Sequence, residues 1–395
     1  MVARLTEQPG KDTHPVGHIV EILGAHDAPN IETEVAIRAH AIPFRWEADV
    51  VAEADSLGSR VAPGDKKDRE DLRDLPLVTI DGADAKDFDD AVFAERVGSG
   101  WRLVVAIADV GHYVRPDSAI DREGQERGTS VYFPRRVVPM LPESLSNGLC
   151  SLNPRVDRLT LACEMHVDAD GKVTVSRFFE AVIRSHARLI YDEVAAALAD
   201  DDSSEARRLE SLMPRLKDLE GVYRALARSR RKRGAIEFEI PEVTFAFDRR
   251  GRIGRVVPRL RNDAHRIIEE CMIAANVQAA HFLRRHRIPC LYRVHAGPEA
   301  DRLEDLMAFL EVYGIRLPRR DRVEPRSYNR IVDQVKGRPD EALIETVLLR
   351  SLPRAVYQPE NVGHFGLALP EYAHFTSPIR RYPDLVVHRA IKHLL

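Results

Sequence analysis

Residues Asp74–Val92 read DLPLVTIDGADAKDFDDAV. Leu75–Ile80 is a short apolar strand, an acidic segment follows, and an apolar stretch resumes at Ala91–Phe93. Asp81, Asp84, Asp87, Asp89 and Asp90 fall within ten residues, with Lys86 the one cation among them. Carboxylates this close repel one another unless positive charge joins them. A hard divalent cation, which takes oxygen ligands, meets that need. Asp87 and Asp89 are two apart and share one side of an extended chain. Asp90 faces away unless the strand bends or bulges, and a turn at Gly82 can bring Asp81 back. Three or four carboxylates can thus converge. The plain alternative is a solvated acidic loop, which the apolar flanks disfavour. An EF-hand is excluded by the order of the acids. Carboxylate-held metals commonly serve phosphodiester hydrolysis.

Outward from this stretch, Arg102–Val110 reads as a buried strand. Leu159–Val167 and Val173–Ile183 alternate around the turn Asp168–Gly171, a hairpin pattern. Ile236–Ile240 and Val243–Phe247 look like a further β pair, with a turn at Asp248–Gly251. Helical periodicity covers about Glu205–Arg231, interrupted at Pro214, then Ala264–His286 with Asn262 or Asp263 as N-cap, Asp301–Tyr313 closed by Gly314, and Asp340–Leu352. Strands and helices without a strict βαβ rhythm predict an α+β fold. Residues 1–45 hold a β-like run, Val16–Leu23, and an apolar stretch, Val35–Ile42. Residues 47–74 are charged and read as a connector with one short helix and a turn at Pro63-Gly64. Leu385–Leu395 is an amphipathic helix that ends uncapped at the last residue, so the chain reads as truncated.

The 395 residues include 59 Lys plus Arg against 62 Asp plus Glu, a net charge of −3 that excludes a uniformly basic nucleic-acid coat. The hydrophobic fraction of 44% excludes a disordered chain. Cys150, Cys163, Cys271 and Cys290 form no C-x-x-C pair and read as free thiols of a reducing compartment. No apolar run reaches the roughly 20 residues of a membrane span, and the N-terminus lacks a leader's apolar region. The location read from this is cytoplasmic.

Two basic stretches supply a candidate path for a polyanion: Arg228, Arg230, Arg231, Lys232 and Arg233, and the six arginines between Arg249 and Arg261. A solvated helix end and hairpin tip would look the same. In HFTSPIRRYPDLVVHR, His374–Arg389, Thr376 or Ser377 can N-cap a helix with Pro378 at N1. Arg380 and Arg381 then sit at a helix N-terminus, suited to bidentate phosphate contact, or pair with a structural acid such as Asp384. Tyr132, Phe133, Tyr191 and Phe238 are aromatics near these elements that can stack bases or fill core.

DLPLVTIDGADAKDFDDAV, GTSVYFPRRVVPMLPESLSNGLCSLNP (Gly128–Pro154), RGAIEFEIPE (Arg233–Glu242), RIIEECMIAAN (Arg266–Asn276) and HFGLALPEYAHFTSPIRRYPDLVVHR (His364–Arg389) together resemble the ribonuclease II/ribonuclease R (RNB) exoribonuclease family, the ribonuclease R branch more closely. The resemblance covers most of 75–395. Residues 1–46 look like the remnant of a cold-shock OB domain, 47–74 like a connector, and 75–395 like the RNB catalytic domain without its C-terminal part. The resemblance implies a Mg²⁺-dependent processive enzyme, with one or two ions and Mn²⁺ as an alternative. Such an enzyme hydrolyses single-stranded RNA from its 3′ end to nucleoside 5′-monophosphates, prefers RNA to DNA, and works as a monomer. By resemblance, Asp81, Asp87, Asp89 and Asp90 are the metal ligands. Tyr132 stacks the 3′-terminal base with Phe238 across from it. Tyr191 helps to tell RNA from DNA, Glu270 (or Glu269) contacts substrate, and Arg380, with Arg381 beside it, grips phosphate. Two rival readings stand: a catalytically incompetent RNA-binding fragment, and a DNA nuclease or nucleotide phosphatase using the same carboxylates.

Overall fold

A computed structural model describes all of the chain except residues 12, 27, 29, 239–241, 249–251, 260, 320 and 321. An N-terminal hairpin, β1 (Val2–Glu7) and β2 (Val16–Glu21), precedes helices α1 (Ile31–Ala39) and α2 (Ala48–Ser56). Next come β3 (Glu70–Asp71), β4 (Val78–Asp81), β5 (Asp90–Val97), β6 (Gly100–Ala108), α3 (Val110–Tyr113) and α4 (Ala119–Arg127). A short hairpin, β7 (Val131–Phe133) and β8 (Arg136–Val138), leads through a π-helical turn at Ser144–Leu149 to β9 (Asp157–Val167), β10 (Val173–Arg184) and β11 (Ala187–Ile190). Helices α5 (Tyr191–Ala199), α6 (Ser204–Arg208) and α7 (Met213–Arg233) are followed by a ribbon of β12 (Glu242–Phe247) and β13 (Ile253–Arg259). The chain closes with α8 (Asp263–Arg285), β14 (Tyr292–Val294), α9 (Ala300–Val312), α10 (Pro325–Val335), α11 (Glu341–Ser351), β15 (Val356–Gln358) and α12 (Tyr382–Leu394). The fold is α+β, as its sequence predicts.

The centre is a seven-stranded mixed sheet in the order β11-β4-β5-β6-β9-β10-β3, antiparallel from β4 to β10 with parallel pairs at both edges. Strand β6 is apolar almost throughout because both of its faces are covered. Leu103, Val105 and Ile107 join the core shared with α5, α7 and α8, and Val104, Ala106 and Ala108 join the core beneath α2, α4 and the π-helical turn. Continuous apolar runs are the mark of strands buried on two sides. Helix α12 spans both cores, giving Leu385 to one and Val387 and Ile391 to the other. A third apolar cluster lies among α9, α10 and α11.

The β9–β10 hairpin, α8 with its Asn262 cap, and Gly314 in the left-handed region after α9 stand where the sequence puts them. All four cysteines are free and buried. No helix among the described residues is long and apolar enough to cross a membrane.

The structure adds to or departs from the sequence reading at five points. The stretch Val35–Ile42 lies largely in helix α1, and β1 was not foreseen. Residues 47–74 hold the expected short helix, α2, and a turn at Pro63–Lys66, and they are packed: Val50, Ala54 and Val61 are buried in the core beneath the sheet, and β3 pairs with β10. The helix read over 205–231 is two helices, and Pro214 opens the second, where its missing N–H costs nothing. The partner of Val243–Phe247 is β13 rather than 236–240. Ile236 instead packs into the third cluster, and Gly366 O accepts its N–H. Ile240 and most of the expected 248–251 turn lie outside the described residues. Helix α12 starts at Tyr382 with Pro383 in its first turn, so neither Thr376 nor Ser377 caps it.

Candidate active site

The acidic segment joins two neighbouring antiparallel strands. Asp81 ends β4 and Asp90 begins β5. Val78 pairs with Val92, and that register carried forward sets Asp81 beside Asp89. Residues 82–89 belong to no strand, so the alternation of a paired strand does not set Asp87 and Asp89. Their placement comes from a clamp instead. Ser151 is fully buried; its Oγ accepts the Phe88 N–H at 3.0 Å and donates to Lys86 O at 2.8 Å. Leu152 N–H reaches Phe88 O, and Ala108 N–H reaches Asp89 O. With Phe88 buried in the core, the backbone on either side of Asp87 is fixed. Asp84 is exposed and reaches the cluster only through the minor repulsion its charge exerts on Asp81.

The second half of the site is the segment 371–384. Asn276, buried on α8, accepts Phe375 N–H at 2.7 Å and donates to the Tyr372 hydroxyl at 3.0 Å. His388, buried on α12, stacks on Phe375 with centroids 4.5 Å apart and bonds Phe375 O. Asp384, fully buried, accepts Ser377 N–H at 2.8 Å and pairs with Arg381 at 2.7 Å. These anchors aim Ile379 N–H at Asp89 Oδ1, 2.8 Å away. Arg380 donates to Ser377 Oγ and brings its Nε to 3.6 Å from Asp89 Oδ2, with its guanidinium still partly exposed. The two neighbouring arginines therefore divide: Arg380 faces the carboxylates, and Arg381 is spent on Asp384.

Tyr132 stands on β7, about half exposed, and donates its hydroxyl to Asp87 Oδ2 at 2.9 Å. Thr129 Oγ1 and Ser130 N–H both reach Arg380 O, which ties the base of this hairpin to the arginine segment. Direct contacts thus join Tyr132 to Asp87 and Arg380 to Asp89, with Asp81 and Asp90 on the adjoining strand ends. Tyr191 opens α5 and stacks on His265, centroids 3.9 Å apart. Glu270 is buried and paired with Arg230 at 2.7 Å. Phe238 packs against the third apolar cluster, and no described ring contact joins it to Tyr132.

The first basic stretch is divided: Arg228, Arg231 and Lys232 are exposed, while Arg230 and Arg233 are half-buried. Arg228 binds Ala169 O, Arg230 pairs with Glu270, and Arg233 binds Leu367 O. In the second stretch Arg249 and Arg250 lie outside the described residues, Arg261 pairs with Glu269, and Arg255 is exposed. Ser151, Thr129, Asn276 and His388 were not singled out from the sequence. Their roles are bonds to residues remote in the chain, which no local pattern marks.

Burial raises the Asp81 carboxyl above its ordinary range. It holds Asp89 well above that range against the pull of Arg380 and the Ile379 N–H. Asp90 is pushed up to about 7 by burial and by the charge of Asp81. Among the described residues no three His, Cys, Asp or Glu side chains already converge as an ion site. The donor chemistry nevertheless fits a hard divalent cation: every donor is a carboxylate oxygen, and Asp81 and Asp87 raise the pKa of their neighbours through their charge. A cation held by these carboxylates would offset the cost of burying their charge and their mutual repulsion.

A family model described as RNB domain matches residues 69–395, and one described as Cold shock domain matches residues 1–47. Ribonuclease R of Escherichia coli (strain K12) is 50% identical over 396 residues, covering 100% of this chain and 49% of that protein. Ribonuclease R of Vibrio parahaemolyticus is likewise 50% identical, with 47% of its length covered. The chain thus spans about half the length of the curated relatives it matches. Among solved structures, Mycoplasma genitalium RNase R in complex with ribose methylated single-stranded RNA superposes with a TM-score of 0.90 at 32% identity, covering 96% of this chain and 59% of that one. Yeast Ssd1, a pseudonuclease, superposes with a TM-score of 0.74 at 20% identity over 99% of this chain and 49% of that one, a likeness of fold alone.

Proposed function

The chain belongs to the RNB family, and from that premise we propose that it is the core of a processive 3′-to-5′ exoribonuclease that hydrolyses single-stranded RNA to nucleoside 5′-monophosphates. The observation that carries this is the juxtaposition of Arg380 with Asp89, 291 residues apart in the chain, at the acidic end of β4 and β5. Asp81, Asp87, Asp89 and Asp90 would hold Mg²⁺, one ion or two, or Mn²⁺. Such an ion supplies neutralisation of phosphate charge and activation of water.

The residues of the chain supply the rest. Ile379 N–H fixes one oxygen of Asp89 and leaves the other toward Arg380. Arg380, oriented by Ser377, offers a preorganised cation for the charge that develops on a phosphate oxygen. Tyr132 presents an exposed ring on which a terminal base can stack, while its hydroxyl stays on Asp87. Phe238, Tyr191 and Glu270 remain candidates for contacts with the base and the ribose, where a 2′-OH distinguishes RNA from DNA. The domain reading consistent with this is a cold-shock segment over 1–46, a packed connector over 47–74, and the RNB catalytic domain from 75 onward. A cytoplasmic, monomeric enzyme fits the same reading.

A second reading is an RNA-binding unit without hydrolysis, since the fold is shared with yeast Ssd1, a pseudonuclease. A fold does not by itself carry an activity. The deciding experiment is degradation of 5′-labelled single-stranded RNA with Mg²⁺, beside an EDTA lane and an Asp89→Asn lane. Conversion to a short labelled end-product, lost in both control lanes, supports the enzyme. Intact RNA that is still retained on a filter supports the binding unit. An Asp89→Asn variant that degrades RNA at the unaltered rate overturns the metal assignment.

A further inference from the structure

Arg135 sits at the tip of the β7–β8 hairpin in a conformation that its residue type disfavours. Its φ is +86°, in the left-handed region where glycine is at ease and a long side chain is strained. Such strain persists only where the surroundings hold it, and it gathers at functional positions. Arg135 is exposed, and no carboxylate among the described residues pairs with it. Its neighbour Arg136, by contrast, is tied to Glu34 of α1. What Arg135 does touch is aromatic: its guanidinium lies 5.3 Å from the ring centroid of Phe247, on the β12–β13 ribbon.

That contact joins two hairpins. One carries Tyr132, three residues from Arg135, with its hydroxyl on Asp87. The other presents an apolar face to solvent. Cross-strand pairing sets Phe245 opposite Val256, Val243 opposite Pro258, and Phe247 opposite Ile253. The register shifts by one residue between Ala246 and Phe247, with the extra residue on β13; β12 itself gains none, so Phe245 and Phe247, two apart, lie on one side of the ribbon. Phe245 is 36% exposed and Val256 59%. An exposed ring at Phe245 and a half-buried one at Phe247, beside an arginine with no carboxylate partner among the described residues, are what a single nucleic-acid strand uses, bases on rings and phosphate on guanidinium. An acidic partner would have no reason to meet aromatic rings here, and an apolar partner none to meet an unpaired cation.

We propose that Arg135 and the Phe245/Phe247 face of the ribbon form a second contact for single-stranded RNA, gripping nucleotides upstream of the 3′-terminal one at Tyr132. The inference rests on the reading that RNA enters this site 3′ end first. It adds a grip that lengthens the bound strand and makes binding depend on oligonucleotide length.

The test is fluorescence anisotropy of the full chain with 5′-labelled oligoadenylates of 3 and 15 nucleotides, in EDTA so that nothing is hydrolysed. Arg135→Ala and Phe247→Ala are expected to weaken the 15-mer by about 5- to 10-fold and leave the 3-mer unchanged. Arg135→Ala should also reduce the slope of log affinity against log salt by about 0.7, the value for one phosphate contact on a single strand. Tyr132→Ala should weaken both lengths. Arg135→Gly separates grip from folding: relief of the left-handed strain should raise the melting temperature by about 2 °C while the 15-mer is lost as in Arg135→Ala. Equal 15-mer affinity in the unaltered chain and in all three Arg135 and Phe247 variants overturns this inference and leaves the site at Tyr132 standing. No binding of either oligonucleotide by the unaltered chain overturns both.

Discussion

Ser151→Ala removes one oxygen and should disturb the whole acidic site. In the folded chain that oxygen accepts Phe88 N–H at 3.0 Å and donates to Lys86 O at 2.8 Å, at a fully buried position. The variant leaves a buried N–H unpaired, at about 1–3 kcal/mol, and loses a donated bond that contributes about 1 kcal/mol. The expected loss of stability is therefore about 2–4 kcal/mol. The functional effect follows from position: Lys86 and Phe88 flank Asp87, and Phe88 precedes Asp89. Groups that orient metal ligands typically change metal affinity by about 10–100-fold when removed. Ser151 acts through backbone, so about tenfold is expected. Urea unfolding in EDTA reads the first quantity. The Mg²⁺ concentration that gives half of the ion's stabilisation of the fold reads the second, whether or not RNA is cleaved. A variant with unaltered stability and an unaltered Mg²⁺ midpoint would show that the acidic loop holds its shape without Ser151 and would refute the clamp.

The neighbouring arginines should separate cleanly. Arg381→Ala leaves Asp384 buried without its cation and should destabilise by about 3–5 kcal/mol; Arg380→Ala should keep the unfolding midpoint and lose RNA hydrolysis, and the reverse pattern would exchange their roles. His388 should make the fold acid-sensitive. Burial pushes its pKa down to about 4 from 6.5, so as pH falls the unfolded chain takes up the proton first; its stability contribution is intact above about pH 6.5 and is lost progressively toward pH 4, at most about 3 kcal/mol. Urea midpoints at pH 7.5 and 4.5 check this, and a His388→Gln variant with the same difference between them would rule His388 out as the source.

The sequence by itself determined the features that depend on near neighbours. The acidic run after an apolar strand, the β9–β10 hairpin around Asp168–Gly171, and the Asn262 cap of α8 arise from periodicity, turn chemistry and capping, all of which act over a few residues. The family, too, was legible, because its motifs are written in order along the chain. Only the tertiary structure decided what each motif residue does. Arg380 and Arg381 are adjacent and chemically alike, yet one faces Asp89 and the other is bound to Asp384. The TSP segment looked like a helix start, but the Asp384 side chain takes the Ser377 N–H, and the helix begins at Tyr382 with Pro383 in its first turn. Arg230 reads as a cation free for phosphate and is in fact committed to Glu270. In each case the deciding bond joins groups whose alternatives look equally good locally. The choice is made by burial, since a buried charge or N–H must be paired by whatever the fold brings within reach.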